Sequence, residues 1–234
     1  MTHRSGQRWL LLFDIDGTLL RYGSAVEHAH ALISALRETY GVELADDAVT
    51  RIRPFGKTDQ RIAREILEAA GLPGSEIEAR RDVWMRREWE IFRDIDLARL
   101  HDAAMPGAAE ALARSASAGH VNALLTGNIE PVAYRKLSAA GLGGWFAPGQ
   151  GAFGSDAEDR NELVPIALER AGRWPATDAV VVGDAPGDVA CALAGGVRVV
   201  ALTGHFSRDE LKGAHVFING LGELDAALSR LAGA

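Results

Sequence analysis

Two carboxylates, Asp14 and Asp16, close a hydrophobic run in LLLFDIDGTLLRYG (residues 10–23), and a Gly-Thr pair follows at once. On an extended strand, residues i and i+2 point to the same side, so both acids converge on one place. Neighbouring carboxylates repel and push one pKa upward unless a cation sits between them. A hard divalent cation such as Mg²⁺ takes oxygen ligands, often one or two carboxylates with water and phosphate oxygens. Gly17 permits a tight turn with amides that face an anion, and the Thr18 hydroxyl is placed to cap locally. For this stretch alone, an Asp turn that merely ends a strand is the favoured explanation.

Three further segments add polar groups in the same manner. In LLTGN, Thr126 ends an apolar run and Gly127 and Asn128 lead into a helical pattern. A hydroxyl and free amides before a helix form an anion cradle. In VVVGDAPGDVACA, Asp184 and Asp188 bracket a Gly/Pro turn that opens a helix, which suits metal ligation. For Asp188 a first-turn acid stabilised by the helix dipole is the alternative. In GSDAEDRNELV, Arg160 stands at a helix start, where the dipole gives a cation nothing. An Arg that bridges phosphate and carboxylate explains it better. Lys136, in the helix after Thr126, is a rival for that basic role.

The elements that must carry these groups are short continuous apolar runs at 9–15, 121–126, 179–184 and 197–202, separated by helical patterns that end in Gly. Continuous rather than alternating runs fit parallel strands covered on both faces. The alternation predicts a doubly wound α/β core, with ligands beyond the carboxyl ends of the strands. The stretch from about 24 to 103 has no strand pattern. It holds long amphipathic helices, including one continuous pattern over EIEARRDVWMRREWEIFRDIDLARL. The expected organisation is a core of 1–22 and 104–234 with an all-helical cap of 23–103 inserted on two hinges, Tyr22 to Ser24 and His101 to Gly107. Arg80, Arg81, Arg86 and Arg87 read as a solvated helix face, not a nucleic-acid surface.

The 234 residues are 47% hydrophobic, enough for a sizeable core and against disorder. The net charge of -7 argues against nucleic-acid or membrane-surface binding while leaving room for a local anion pocket. Cys191 is the single cysteine, so no internal disulfide forms, and its apolar helical context predicts a core residue. MTHRSGQRW lacks the apolar core of a signal peptide, and no stretch has the length of a membrane span. A cytoplasmic protein, monomer or homodimer, is expected.

The order Asp-x-Asp-Gly-Thr, Thr, basic residue, Gly-Asp-x-x-x-Asp resembles the haloacid dehalogenase-like hydrolase superfamily at its four signature motifs. The resemblance implies a Rossmann-like core with a helical cap and a Mg²⁺-dependent phosphatase acting on a small phosphorylated metabolite. It implies that Asp14 attacks phosphorus to form an aspartyl-phosphate, and that Asp16 serves as general acid and then base. Asp14, Asp184, Asp188 and the Asp16 carbonyl would hold Mg²⁺. Gly17, Thr126, Gly127, Asn128 and Arg160 would hold the phosphoryl group. Asp16 itself favours phosphate-ester cleavage, because the family's 2-haloacid dehalogenases lack that second acid. A phosphomutase, a dehalogenase and a non-catalytic phosphate-binding module are the alternatives. In the cap, RIRPFGKTDQR is similar to stretches in phosphoglycolate-phosphatase-like members. Arg53, Lys57 and Thr58 are its candidate specificity residues, with a plain helix N-cap as the competing explanation.

Overall fold

Leu10 to Phe13 alternate between two cores. Leu11 and Phe13 enter one apolar cluster with Leu124, Val182 and Val200, and Leu10 and Leu12 enter another with Ala123, Leu125 and Val181. A strand whose successive side chains are buried on opposite faces needs a layer on each side, and the computed structural model, which describes residues 7–23 and 26–233, supplies both. The chain runs β1 (Leu10–Phe13), α1 (Val26–Tyr40), α2 (Ala48–Arg51), α3 (Asp59–Ala69), α4 (Gly74–Ala79), α5 (Arg81–Phe92), α6 (Ala108–Ser117), β2 (Val121–Leu125), α7 (Glu130–Ala139), β3 (Gly151–Ala152), α8 (Leu163–Arg170), β4 (Ala179–Gly183), α9 (Pro186–Ala194), β5 (Arg198–Leu202), β6 (Val216–Ile218) and α10 (Leu224–Ala232).

The six strands form one parallel sheet in the order β3-β2-β1-β4-β5-β6. This is the doubly wound α/β fold expected from the apolar runs. Register matters for the site. Phe13 pairs with Leu124 on one side and with Val182 on the other. The residues just past β1, β2 and β4 therefore emerge side by side at one edge.

Among the described residues no strand lies between Phe13 and Val121, and helices α1–α6 fill that interval, α1–α5 of them before Gly107. Leu32, Leu36, Ile62, Ile66 and Trp84 pack into an apolar cluster of their own. The helix α3 shows how local sequence sets this block. Thr58 caps it by accepting from the Arg61 amide at 3.1 Å, and Ile62, Ala63, Ile66 and Leu67 bury one stripe.

Three expectations need correction. The single helical pattern from Glu76 to Leu100 is divided, because Arg80 leaves helical geometry at φ -117° and separates α4 from α5, and α5 stops at Phe92. Two strands, β3 and β6, have two and three residues, too few to form a legible apolar run. Arg160 opens a short 3₁₀ turn, Arg160–Glu162, that precedes α8. Ser24 of the expected first hinge, and residues 1–6 of the segment read for a leader, lie outside the described residues. Cys191 is buried as expected, and burial pushes its thiol up to about 12.

Candidate active site

Asp14 follows β1, Thr126 follows β2 and Asp184 follows β4, so three adjacent strands deliver a carboxylate, a hydroxyl and a second carboxylate to one place. The Asp14 amide donates to Val182 O at 2.9 Å, which locks the residue to the β4 edge. Gly17 then reverses the chain at φ +97°. A Cβ there would lie 2.4 Å from Asp184 Oδ2, so glycine is required by approach as well as by conformation. Its amide donates to Leu20 O at 2.7 Å, and Thr18 N donates to Ile15 O. The expected anion-facing amides of this turn are thus spent inside it. Gly17 contributes the turn, and Thr18 Oγ1 donates to Asp184 Oδ1 at 2.8 Å.

Arg160 reaches the centre of the group. Its Nη2 donates to Asp14 Oδ1 at 2.8 Å, Asp188 Oδ1 at 2.5 Å and Leu125 O at 3.1 Å. Its Nε is buried without a partner. Asp188 also serves its own helix. Its Oδ2 accepts from the amides of Asp184 at 3.1 Å and Ala185 at 2.9 Å, capping α9. The first-turn role and the charged role of Asp188 therefore coexist.

The electrostatics follow from burial. Desolvation, then Asp188, pushes the Asp14 carboxyl well above the usual carboxylate range, and Arg160 offsets only part of this. Burial and Asp188 likewise push Asp184 up to about 7. One oxygen from each of Asp14, Asp184 and Asp188 lies within 4.8 Å of the others. A group of buried oxygen donors in which Asp14 and Asp184 resist ionisation is the donor set a hard divalent cation relieves, so the residues fit Mg²⁺.

Thr126 is fully buried, and its Oγ1 accepts from the Asn128 amide at 3.3 Å and from Asn128 Nδ2 at 3.1 Å. Asn128 Nδ2 also donates to Asp16 Oδ2 at 2.9 Å. Asp16 is also paired with Lys136, whose Nζ lies 2.6 Å from each of its oxygens. Burial acts upward on Asp16, but Lys136 outweighs it and holds the carboxyl below its ordinary value. The two basic candidates therefore divide: Arg160 serves Asp14 and Lys136 serves Asp16.

The loop before α3 presses on this region. Gly127 O accepts from the Asp59 amide at 2.8 Å, and a Cβ on Gly127 would stand 2.0 Å from Lys57 O. Lys57 itself donates to Glu65 at 2.6 Å and Ile52 O at 2.7 Å. Thr58 Oγ1 donates to Glu158 O at 2.6 Å. Both are already engaged within the protein, whereas Arg53 is exposed, has φ +49° and has no anionic partner among the described residues. A cleft of about 650 Å³ opens between this loop and the 156–162 segment, lined by Lys57, Arg61, Arg81, Glu158 and Arg160.

Sequence reasoning missed Tyr22, whose hydroxyl donates to Asp184 Oδ2 while its ring packs on Phe55 and His205 at 5.2 and 4.6 Å between centroids. It also missed a buried cluster in the helical block. His28 Nε2 lies 2.9 Å from Glu88 Oε1 and 3.3 Å from Asp59 Oδ2. Burial opposes the imidazolium, yet these acids raise His28 to about 10. Among these, only Asp59 carries a sequence signal, its place beside the Thr58 cap.

A doubly wound sheet with an acid after β1 and two more after β4 gathers its carboxylates beyond the carboxyl ends of the strands, where such sheets hold ligands. The family model for haloacid dehalogenase-like hydrolases matches residues 11–193, and the chain belongs to that family. Similar solved structures include a predicted phosphatase from Clostridium acetobutylicum, 18% identical with a TM-score of 0.68, covering 95% of this chain and 99% of that one. A beta-phosphoglucomutase from Clostridium difficile is 13% identical with a TM-score of 0.66, covering 97% of each chain. CbbY from Rhodobacter sphaeroides, solved with phosphate, is 21% identical with a TM-score of 0.64, covering 93% of this chain and 96% of that one. At these identities the likeness is one of fold. No curated protein matches the sequence. No helix among the described residues is long and apolar enough to cross a membrane.

Proposed function

We propose that the protein is a Mg²⁺-dependent phosphatase that hydrolyses a small phosphorylated metabolite through an aspartyl-phosphate on Asp14. The observation that carries this reading is the grouping of Asp14, Asp184 and Asp188 beyond the neighbouring strands β1 and β4, with Arg160 bonded to Asp14 and Asp188. Asp14, Asp184, Asp188 and the Asp16 carbonyl would hold the cation, which supplies charge neutralisation between nucleophile and phosphoryl oxygens.

Asp14 attacks phosphorus as the ester bond breaks. Asp16 gives a proton to the departing oxygen, then takes one from the water that hydrolyses the acyl phosphate. Arg160, with its buried Nε lacking a partner, and the Thr126-Gly127-Asn128 segment offer donors to the phosphoryl oxygens. The core would comprise 1–22 and 104–234, and the cap 23–103, closing over the cleft and excluding water. Arg53, exposed and with no anionic partner among the described residues, is the cap residue we assign to a second anion. The lone, buried Cys191 suits a reducing compartment, and we assign the protein to the cytoplasm.

A phosphate-release screen across phosphorylated metabolites, with Mg²⁺ and with EDTA, tests the reading. Release that stops in EDTA and returns with Mg²⁺ supports it. Conversion of a sugar phosphate to its isomer without free phosphate would instead make the protein a phosphomutase.

A further inference from the structure

Lys136 is a fully buried lysine on α7. An ammonium has three donors, and three oxygens surround this one: both of Asp16 at 2.6 Å and Asn128 Oδ1 at 2.8 Å. Asn128 Nδ2 returns a bond to Asp16 Oδ2 at 2.9 Å. The β2–α7 segment thus grips one carboxylate twice. The grip is also one-sided: the Lys136 side chain has no exposure, while 31% of the Asp16 side chain stays open. Burying an ammonium is expensive unless it is paired, and the packing of α7 does not require one, since Val132, Ala133 and Leu137 already fill its inner face.

We propose that Lys136 is a positioning residue, which fixes the Asp16 carboxyl group for proton transfer with the leaving-group oxygen while Arg160 serves Asp14. The proposal rests on the phosphatase reading above. In the first half-reaction Asp16, ionised at rest, takes the proton of the bound phosphate monoanion and passes it to the ester oxygen as the bond from that oxygen to phosphorus breaks and the Asp14 carboxylate bonds to phosphorus. In the second, Asp16 accepts a proton from the attacking water as the Asp14 carboxylate departs. Lys136 takes no part in the transfer itself. It acts by holding Asp16 in one rotamer, within the small tolerance that proton transfer allows.

A leaving group that needs a proton is sensitive to this and one that departs as a stable anion is not. The test compares kcat/KM on phenyl phosphate and p-nitrophenyl phosphate, two esters of similar size. Lys136→Met should lower the phenyl phosphate value about tenfold more than the p-nitrophenyl phosphate value, in the manner of Asp16→Asn. Added to Asp16→Asn, it should change either value less than about twofold, because the two residues act as a unit. Equal losses on both esters, or losses that multiply in the double variant, would overturn the positioning role. If Lys136→Met fails to fold by circular dichroism, Lys136→Gln, which keeps a donor, reads the same ratio. Asp14→Asn run alongside separates the two levels. Its inactivity with equal ester losses in the Lys136 variants overturns this proposal alone, whereas normal turnover by Asp14→Asn overturns the phosphatase reading with it.

Discussion

Asp14, Asp184 and Asp188 form one group of buried carboxylates, and the Arg160 guanidinium pairs with two of them, Asp14 and Asp188. Because the folded Asp184 pKa, about 7, exceeds the unfolded value near 4, the fold binds an extra proton across that window. More protons bound folded than unfolded means that this group's contribution falls as pH rises from about 4 to about 7. Asp14, raised by the same burial, adds in the same direction. Mg²⁺ reverses the balance, since the ligands must be deprotonated to bind it. Thermal unfolding should therefore show a larger Mg²⁺-induced rise in Tm at about pH 8 than at about pH 6. A rise that is equal at both, or absent, would remove the cation from this cluster. At this scale the strand-end acids are legible, because a carboxylate after an apolar run stands out. The Lys136–Asp16 pair, the Tyr22–Asp184 bond and the His28 cluster are not. Each joins residues distant in sequence and depends on rotamers that no spacing records.

Asp59, at the start of α3, holds the helical block to the core through backbone. Its amide donates to Gly127 O at 2.8 Å, and its Oδ2 accepts from the Ile129 amide at 2.8 Å. Contact this close leaves no room for a side chain at Gly127. Gly127→Ala places a Cβ 2.0 Å from Lys57 O, an overpacking strain of about 1–3 kcal/mol. Urea unfolding should show that loss, and kcat/KM should fall with it as the loop moves off the Thr126 segment. Unchanged stability and activity would mean that the loop yields freely. Helices and central strands are legible at this scale because periodicity and apolar runs extend over many residues. The division at Arg80 is hidden, since charged residues continue the amphipathic pattern straight through it. The edge strands β3 and β6 are hidden by their brevity.

Across the whole molecule, the order of motifs conveys more than any one of them. A parallel sheet with β1 between β2 and β4 turns residues 14, 126 and 184 into neighbours. The all-helical interval after β1 is equally plain from the absence of strand patterns. Any selectivity carried by that helical interval is less visible, since Lys57 is spent on Glu65 while Arg53 has no anionic partner among the described residues. Arg53→Ala should lower kcat/KM about ten- to a hundredfold for a substrate with a second anionic group, the value of one charge-assisted hydrogen bond. It should leave p-nitrophenyl phosphate nearly unchanged. Equal effects on both esters would show that Arg53 has no part in selection.

The whole mechanism turns on Asp14 as nucleophile, and trapping the intermediate tests that role directly. Borohydride reduces an acyl phosphate to an alcohol, which would convert Asp14 to homoserine. The enzyme is mixed with Mg²⁺ and a phosphate ester that it turns over, quenched into borohydride and digested with trypsin. Tandem mass spectrometry of the peptide from Trp9 to Arg21, which contains both acids, then locates the change. Homoserine at Asp14, dependent on substrate and absent at Asp16, is the predicted result. Turnover without reduction at Asp14, or with reduction at another carboxylate, would contradict it.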